Sequence, residues 1–437
     1  MVARDEIPGK KIRRKFRPTE NVKLGNIDIS DGTEITFERE KKTKEQTNMD
    51  TMEDKLIVPQ KFKNLLYGLI GIGVISLAVG FAMDPHRAWA NYLLNNYYFV
   101  SLAIGAGFFG AIQYIAQAGW SSAFKRIPEA MASYIPVAAV FFLMLYFGMH
   151  SLFHWSHEGI TETDKLLAHK APYLNIPFFF IRVILFFGLW IVMVRLLRKI
   201  SLKEDAEGGL QHFYDSEKYS KVLIFIVAIS FTLFAIDMIM SLEPHWFSGL
   251  FAAKSFIAAF QHGAAVITLI VIVLHKYGHL RMLNRSHLHD FSRYIFMLSI
   301  VWGYFNFAEF MLIWYGNIPE ETMFYVHRSH GAFGVLFYAN IILNWFIPFL
   351  FLMPRMTSRS KVFILPVIIV LMIGQYTELY YYIWPAVVHE AKFGLVEIGT
   401  YLGFLGLFAL VVTNTLTKAN LVPKHHPYLE ESVYHQF

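Results

Sequence analysis

Apolar residues in this chain fall into ten long blocks, at 64–83, 97–118, 133–155, 176–197, 221–240, 254–275, 293–314, 330–352, 362–383 and 396–416. A block of about 20 residues, rising about 1.5 Å per residue, crosses roughly 30 Å of hydrocarbon. The blocks are continuous rather than alternating, which excludes a barrel, and only a helix satisfies its backbone hydrogen bonds within one isolated span. The pattern therefore predicts an all-α polytopic membrane protein of about ten transmembrane helices with short connections.

Basic residues between the blocks set the expected orientation, because Lys and Arg are retained on the cytoplasmic side. One set of loops carries Lys125, Arg126, Arg195, Arg198, Lys199, Lys203, Lys218, Lys221, Lys276, Arg281, Arg285, Arg293, Arg355, Arg359 and Lys361. The opposite set carries only Arg87, Lys165, Lys170, Arg328 and Lys392. Both termini are accordingly expected in the cytoplasm, as an even number of spans requires. The predicted divisions are a charged N-terminal tail at 1–63, a ten-helix membrane domain at 64–416 and a C-terminal tail at 417–437. The N-terminal tail lacks the apolar core of a secretory signal peptide and is expected to stay in the cytoplasm. Within it, Asp31-Gly32 between two short β-prone runs reads as a small hairpin contacting a partner. A basic, mostly disordered tail near anionic headgroups is the other reading.

Composition agrees with a lipid-solvated fold: 55% of the 437 residues are hydrophobic, 17% aromatic and 16% charged. Cysteine is absent, which removes thiolate-held iron–sulfur clusters, covalent c-type haem attachment and disulfides from this chain. No metal site is expected either. The run Gly105-Ala106-Gly107-Phe108-Phe109-Gly110 fits a dinucleotide-binding pattern, but it lies inside an apolar block with no preceding strand. It is read as close helix packing.

Ionisable residues within spans carry the functional signal, since each costs several kcal/mol unless it finds a partner or water. His150 and His154 share one face near the outer end of the third span. Arg182 lies in the fourth, Asp237 closes the fifth, Lys254 and His262 open the sixth, and Glu309 and Glu378 lie in the outer parts of the seventh and ninth. All of these fall in the outer leaflet, which implies a hydrated outer pocket or proton path. Asp237 or Glu309 beside Arg182 or Lys254 would form a neutralised pair, whereas a carboxylate beside His150 or His262 could pass a proton near neutral pH. The two clustered histidines also admit duller roles, at the headgroups or in helix contacts, and His150 with His262 could ligate a b-type haem. Glu378 precedes Leu379-Tyr380-Tyr381-Tyr382 and could instead snorkel to an aromatic belt.

The stretch Ile236-Asp237-x-x-Met240-Ser241-Leu242-x-Pro244-x-Trp246, with Glu309-Phe310-x-x-x-Trp314-Tyr315-Gly316-Asn317-x-Pro319-Glu320-Glu321, resembles the large polytopic subunits of alternative complex III. That assembly is a bacterial quinol:cytochrome c oxidoreductase, and these subunits are similar to the membrane anchors of polysulfide and nitrite reductase complexes. Length and helix number resemble the shorter of its two such subunits. The resemblance covers roughly residues 64–416. It implies two four-helix bundles, spans two to five and six to nine, plus two additional helices, in the bacterial inner membrane.

The resemblance also implies that multihaem c-type cytochrome and iron–sulfur subunits carry the redox centres, with a related polytopic subunit and phospholipids as further partners and no nucleic acid. This chain would then take part in quinol oxidation, proton conduction or assembly. Asp237, Glu309, His150 and His154 are the candidate quinol or proton-path residues, supported by Arg182, Lys254, His262 and Glu378. An ion-coupled secondary transporter, which would show helices broken at mid-membrane, and a b-type cytochrome are the competing classes.

Overall fold

The computed structural model describes residues 55–436, so the hairpin expected around Asp31-Gly32 lies outside the described residues. Ten helices among them are long and apolar enough to cross a membrane. They are α1 (Gln60–Met83), α2 (Pro85–Ile115), α3 (Arg126–Leu152), α4 (Ile176–Glu207), α5 (Gln211–Leu242), α6 (Phe251–Lys276), α7 (Arg285–Gly316), α8 (Gly331–Leu352), α9 (Lys361–Val387) and α10 (Leu395–Leu416). The architecture is that of a multi-pass membrane protein.

Several helices outrun the apolar blocks that predicted them, because helical hydrogen bonding does not stop where hydrophobicity does. α2 begins at Pro85 rather than 97: the Asp84 side chain accepts from Arg87 N at 3.2 Å, and Pro at the first position has no N–H to leave unpaired. Asn284 starts α7 in the same way, accepting from Ser286 N at 2.8 Å and His287 N at 3.1 Å. α4 and α5 likewise extend beyond the hydrophobic run at their joined ends. The connection between α3 and α4 is longer than the short loops expected, folding as a cap with two short helices, Ile160–Thr163 and Lys165–Lys170.

α2 packs on α3, α3 on α4, α4 on α5, and α5 returns to α2. α6, α7, α8 and α9 repeat that circuit. α2 also meets α6 and α9, while α1 pairs with α10 beside α2 and α3. The central elements are α2 and α6, whose membrane windows are 72% and 78% buried, against 17% for α1 and 22% for α8. Their crossing depends on glycine: a Cβ on Gly105 would lie 2.0 Å from Ala259 O, and one on Gly263 2.7 Å from Ala106 N. Gly73 and Gly403 do the same for α1 and α10, each meeting the other's Cα at 2.4 Å if given a Cβ. Without water to drive helices together, this backbone proximity supplies much of the packing energy.

One end of the bundle is rich in Lys and Arg, and the segment after α10 folds across that basic end. Ser432 Oγ donates to Trp120 O at 2.6 Å, Asn284 Nδ2 to His435 O at 2.6 Å, and His435 Nε2 meets Asp290 Oδ2 at 2.5 Å. His426 is wedged against the rings of Tyr114 and Phe213, and its Nδ1 accepts from Tyr428 N at 3.2 Å. Burial, reinforced by Lys125 and Arg126 and opposed by Glu129, pushes the His426 ring down to about 2.

A Gly105→Val substitution is expected to block the α2–α6 crossing at a cost of about 3 kcal/mol or more. Gly188→Ala, in open space, is expected to be silent. Thermal unfolding of the detergent-solubilised protein checks both. The C-terminal segment should be fully docked above pH about 6.5, the ordinary histidine value, and should loosen as pH falls from there toward the depressed value of the docked ring. Hydrogen exchange over residues 421–430, corrected for intrinsic rates, should show opening about 25-fold more frequent at pH 5 than at pH 7. His426→Phe should remove that dependence.

Candidate functional site

Arg182 of α4 and Asp237 of α5 form a closed pair. Arg182 Nε donates to Asp237 Oδ2 at 2.8 Å and Nη2 to Oδ1 at 3.1 Å, and Nη1 donates to Tyr173 O at 3.0 Å. The guanidinium also lies 3.8 Å from the Tyr173 ring centroid and 4.5 Å from that of Phe178. Both charged side chains are buried. With each oxygen engaged by the fork, Asp237 is a neutralised structural partner rather than a free base.

A second pair joins α6 to α7, where Lys254 Nζ lies 2.6 Å from Glu309 Oε2 and 3.3 Å from Asn306 Oδ1. The other Glu309 oxygen accepts from Ser248 Oγ at 2.6 Å, and Ser248 is half-buried in the segment after α5. The pair therefore connects directly to the loop surface at the end opposite the basic one. Lys254 also faces the Tyr382 ring at 5.0 Å.

Glu378 of α9 differs from both. It is 2% exposed, yet its hydrogen-bond donors are neutral: Trp302 Nε1 at 3.1 and 3.2 Å and Gln375 Nε2 at 3.3 Å. Lys254 and Glu309 are near enough to act on it electrostatically, but no cation lies at hydrogen-bonding distance among the described residues. Nine residues separate it from the end of α9, placing it about 13 Å along the helix at about 1.5 Å per residue. Glu378 is thus a buried carboxyl beside a pair already neutralised, not a residue snorkelling to an aromatic belt.

The histidines are not brought into this group. His150 and His154 are exposed, with His157 between them at ring-centroid distances of 5.7 and 5.8 Å. The His150 ring meets Ser156 Oγ at 3.3 Å, and His157 Nε2 donates to His150 O at 2.9 Å. His262 is buried in the centre of the bundle, edge-on to Tyr98 at 4.6 Å, and among the described residues neither ring nitrogen has a hydrogen-bond partner. His150 and His262 therefore differ in both burial and neighbours, unlike a facing haem-ligand pair. Among the described residues no three His, Asp or Glu side chains converge as a metal site.

Further buried charges were not singled out in the sequence. Arg87 clamps Glu397 with two contacts at 2.7 Å, Asn91 adds 2.9 Å, and Gly394 N donates at 2.7 Å. The Gly394-x-x-Glu397 spacing at the start of α10 was the available signal. Arg328, counted as a loop charge, is buried against Glu243 at 2.5 Å and donates to Tyr381 O and Tyr382 O at 3.1 Å. At the basic end, Lys125 pairs with Glu204, Arg126 with Glu129 and Asp205, and Arg198 with Glu129. The one-sided clustering of buried charge expected from the sequence is thus incomplete. In the sequence Lys125, Arg126 and Arg198 serve only as topology signals, and the structure shows that they are paired and largely buried.

Compared with known protein families and with curated proteins, the chain has no significant match.

Lys254→Met alone is expected to destabilise the protein by about 3–5 kcal/mol, since it leaves Glu309 as a lone buried charge, and Glu309→Leu by less, since Glu378 can ionise beside Lys254. The double variant should be more stable than either single one. Thermal melts of all four proteins in one detergent check this as a double-mutant cycle.

Proposed function

We propose that this chain is an integral membrane subunit of a respiratory quinol:cytochrome c oxidoreductase of the alternative complex III kind. In this reading it supplies a proton-exchanging site, and the redox centres reside on partner subunits. The observation that carries the proposal is Glu378, a buried carboxyl with neutral donors beside the Lys254–Glu309 pair. Two carboxyl groups and one ammonium group are together electroneutral only with one proton added. Glu378 can take or release that proton without breaking an ion pair, whereas Asp237 cannot.

Ser248 links Glu309, the carboxylate neighbouring Glu378, to the loop surface, and water between the two carboxyl groups would complete an exit for the proton. Deeper in the bundle, His262 and Asn96 carry buried polar atoms without partners among the described residues, the kind of lining that ordered water occupies. Proton release at this end suits quinol oxidation, in which protons leave as electrons pass to acceptors on other subunits. The two helix circuits, α2–α5 and α6–α9, with α1 and α10 paired beside them, support the two-bundle arrangement implied by the sequence resemblance. The distribution of Lys and Arg favours placing the basic end in the cytoplasm and the Glu378 end outside.

Purification of the tagged chain from its native membrane tests the assembly. Co-purifying multihaem cytochrome c and iron–sulfur proteins are expected, with no haem left on this chain after dissociation; recovery of the chain alone would overturn the reading. In the intact complex, Glu378→Gln is expected to slow quinol-dependent cytochrome reduction about tenfold or more while leaving subunit composition unchanged. Glu378→Asp should retain part of the activity and shift its pH profile. Wild-type turnover in the Gln variant would remove Glu378 from the proton path.

A further inference from the structure

At the basic end, α3, α4 and the end of α10 enclose an open groove of about 800 Å³. One wall is apolar, formed by Pro136, Ile191, Val194 and Val411. The other carries Arg195, Lys199 and Lys203, spaced four residues apart and so on one face of α4, joined by Lys418 just beyond α10. All four cations are exposed, and among the described residues none has an ion-pair partner. Their neighbours are treated differently: Arg198 and Glu129, which also line the groove, pair with each other, and Lys125 and Arg126 are held by Glu204 and Asp205. The apolar run of α4 ends near residue 197, so the groove straddles the expected edge of the hydrocarbon.

We propose that this groove is a binding site for one anionic diacyl phospholipid. The phosphate and headgroup lie on Arg195, Lys199, Lys203 and Lys418, and an acyl chain runs along Ile191, Val194 and Val411. Charge complementarity selects an anionic headgroup, because four cations with no ion-pair partner among the described residues line the wall where a headgroup would sit. The apolar wall selects a lipid over a free phosphate, which would leave that wall uncovered. The site does not depend on the redox reading above, since it uses none of the same residues.

Native mass spectrometry of the full chain, titrated with phosphatidylglycerol or phosphatidylcholine, tests the site. One phosphatidylglycerol should bind tightly and phosphatidylcholine should not. The triple variant Arg195→Gln, Lys199→Gln, Lys203→Gln should weaken that binding about hundredfold. A control with equal charge loss at the same end, Lys276→Gln, Arg281→Gln, Arg285→Gln, should leave it within about twofold. Val411→Trp, which fills the apolar wall and keeps every charge, should also weaken it, and millimolar inorganic phosphate should not compete. Equal affinity for both lipids, equal loss in the two triple variants, or no bound lipid on the full chain would overturn the proposal.

Discussion

A charge buried among membrane helices has no water to share it, so it must be neutralised by another side chain, and that requirement governs how these helices meet. Arg182–Asp237 fixes α4 against α5, Lys254–Glu309 fixes α6 against α7, and Arg87–Glu397 fixes the start of α2 against the start of α10. Lys125–Glu204 and Arg126–Asp205 tie the region before α3, and α3 itself, to α4 at the other end. Glycine contacts permit close approach but are tolerant of rotation. Paired charges are not, because one residue out of register leaves two lone ions in a low dielectric.

The same rule extends to backbone carbonyls released by proline. Pro385 cannot donate to Tyr381 O within α9, and Arg328 Nε donates to it instead at 3.1 Å, anchoring the Pro319–Arg328 helix over the bundle. In α8, Pro348 frees Asn344 O, which accepts from Gln261 Nε2 of α6 at 3.1 Å, and the backbone relaxes into a π-helical turn at Ile342–Phe346. Neither helix is broken into the separated halves of a transporter. The freed carbonyls are used as inter-helix contacts, which makes these irregularities part of the packing.

The spans were legible in the sequence because a 20-residue apolar run has few other uses, and ten such helices are present. The first turns of α2 were not, since the second apolar block begins only at 97, after Asn91, Asn95 and Asn96, although all three are fully buried. Candidate charges within spans could be found from their desolvation cost alone. Their partners could not: the sequence leaves Glu309 as open a partner for Arg182 as Asp237, because spacing within a helix says nothing of which helix stands opposite. His150 and His154 drew attention for their shared face, but a shared face at a helix end is as easily turned outward, and theirs is exposed. The basic-end network escaped for the opposite reason. Charges beyond a hydrophobic run are expected to be solvated, so nothing in the sequence marked Glu204 as buried.

The two helix circuits share a plan but not a charge balance. In α2–α5 the pair at the Asp237 end is complete, one guanidinium for one carboxylate, and its bidentate geometry engages both carboxylate oxygens. In α6–α9 the corresponding region holds Lys254, Glu309 and Glu378, one carboxyl more than it has cations. If buried polar groups served only to hold helices together, Gln at position 378 would accept from Trp302 with no charge to neutralise. A carboxyl retained there adds one property that an amide lacks, a transferable proton. On the proposed reading, this asymmetry between the circuits puts the exchangeable charge in the second and a fixed scaffold in the first.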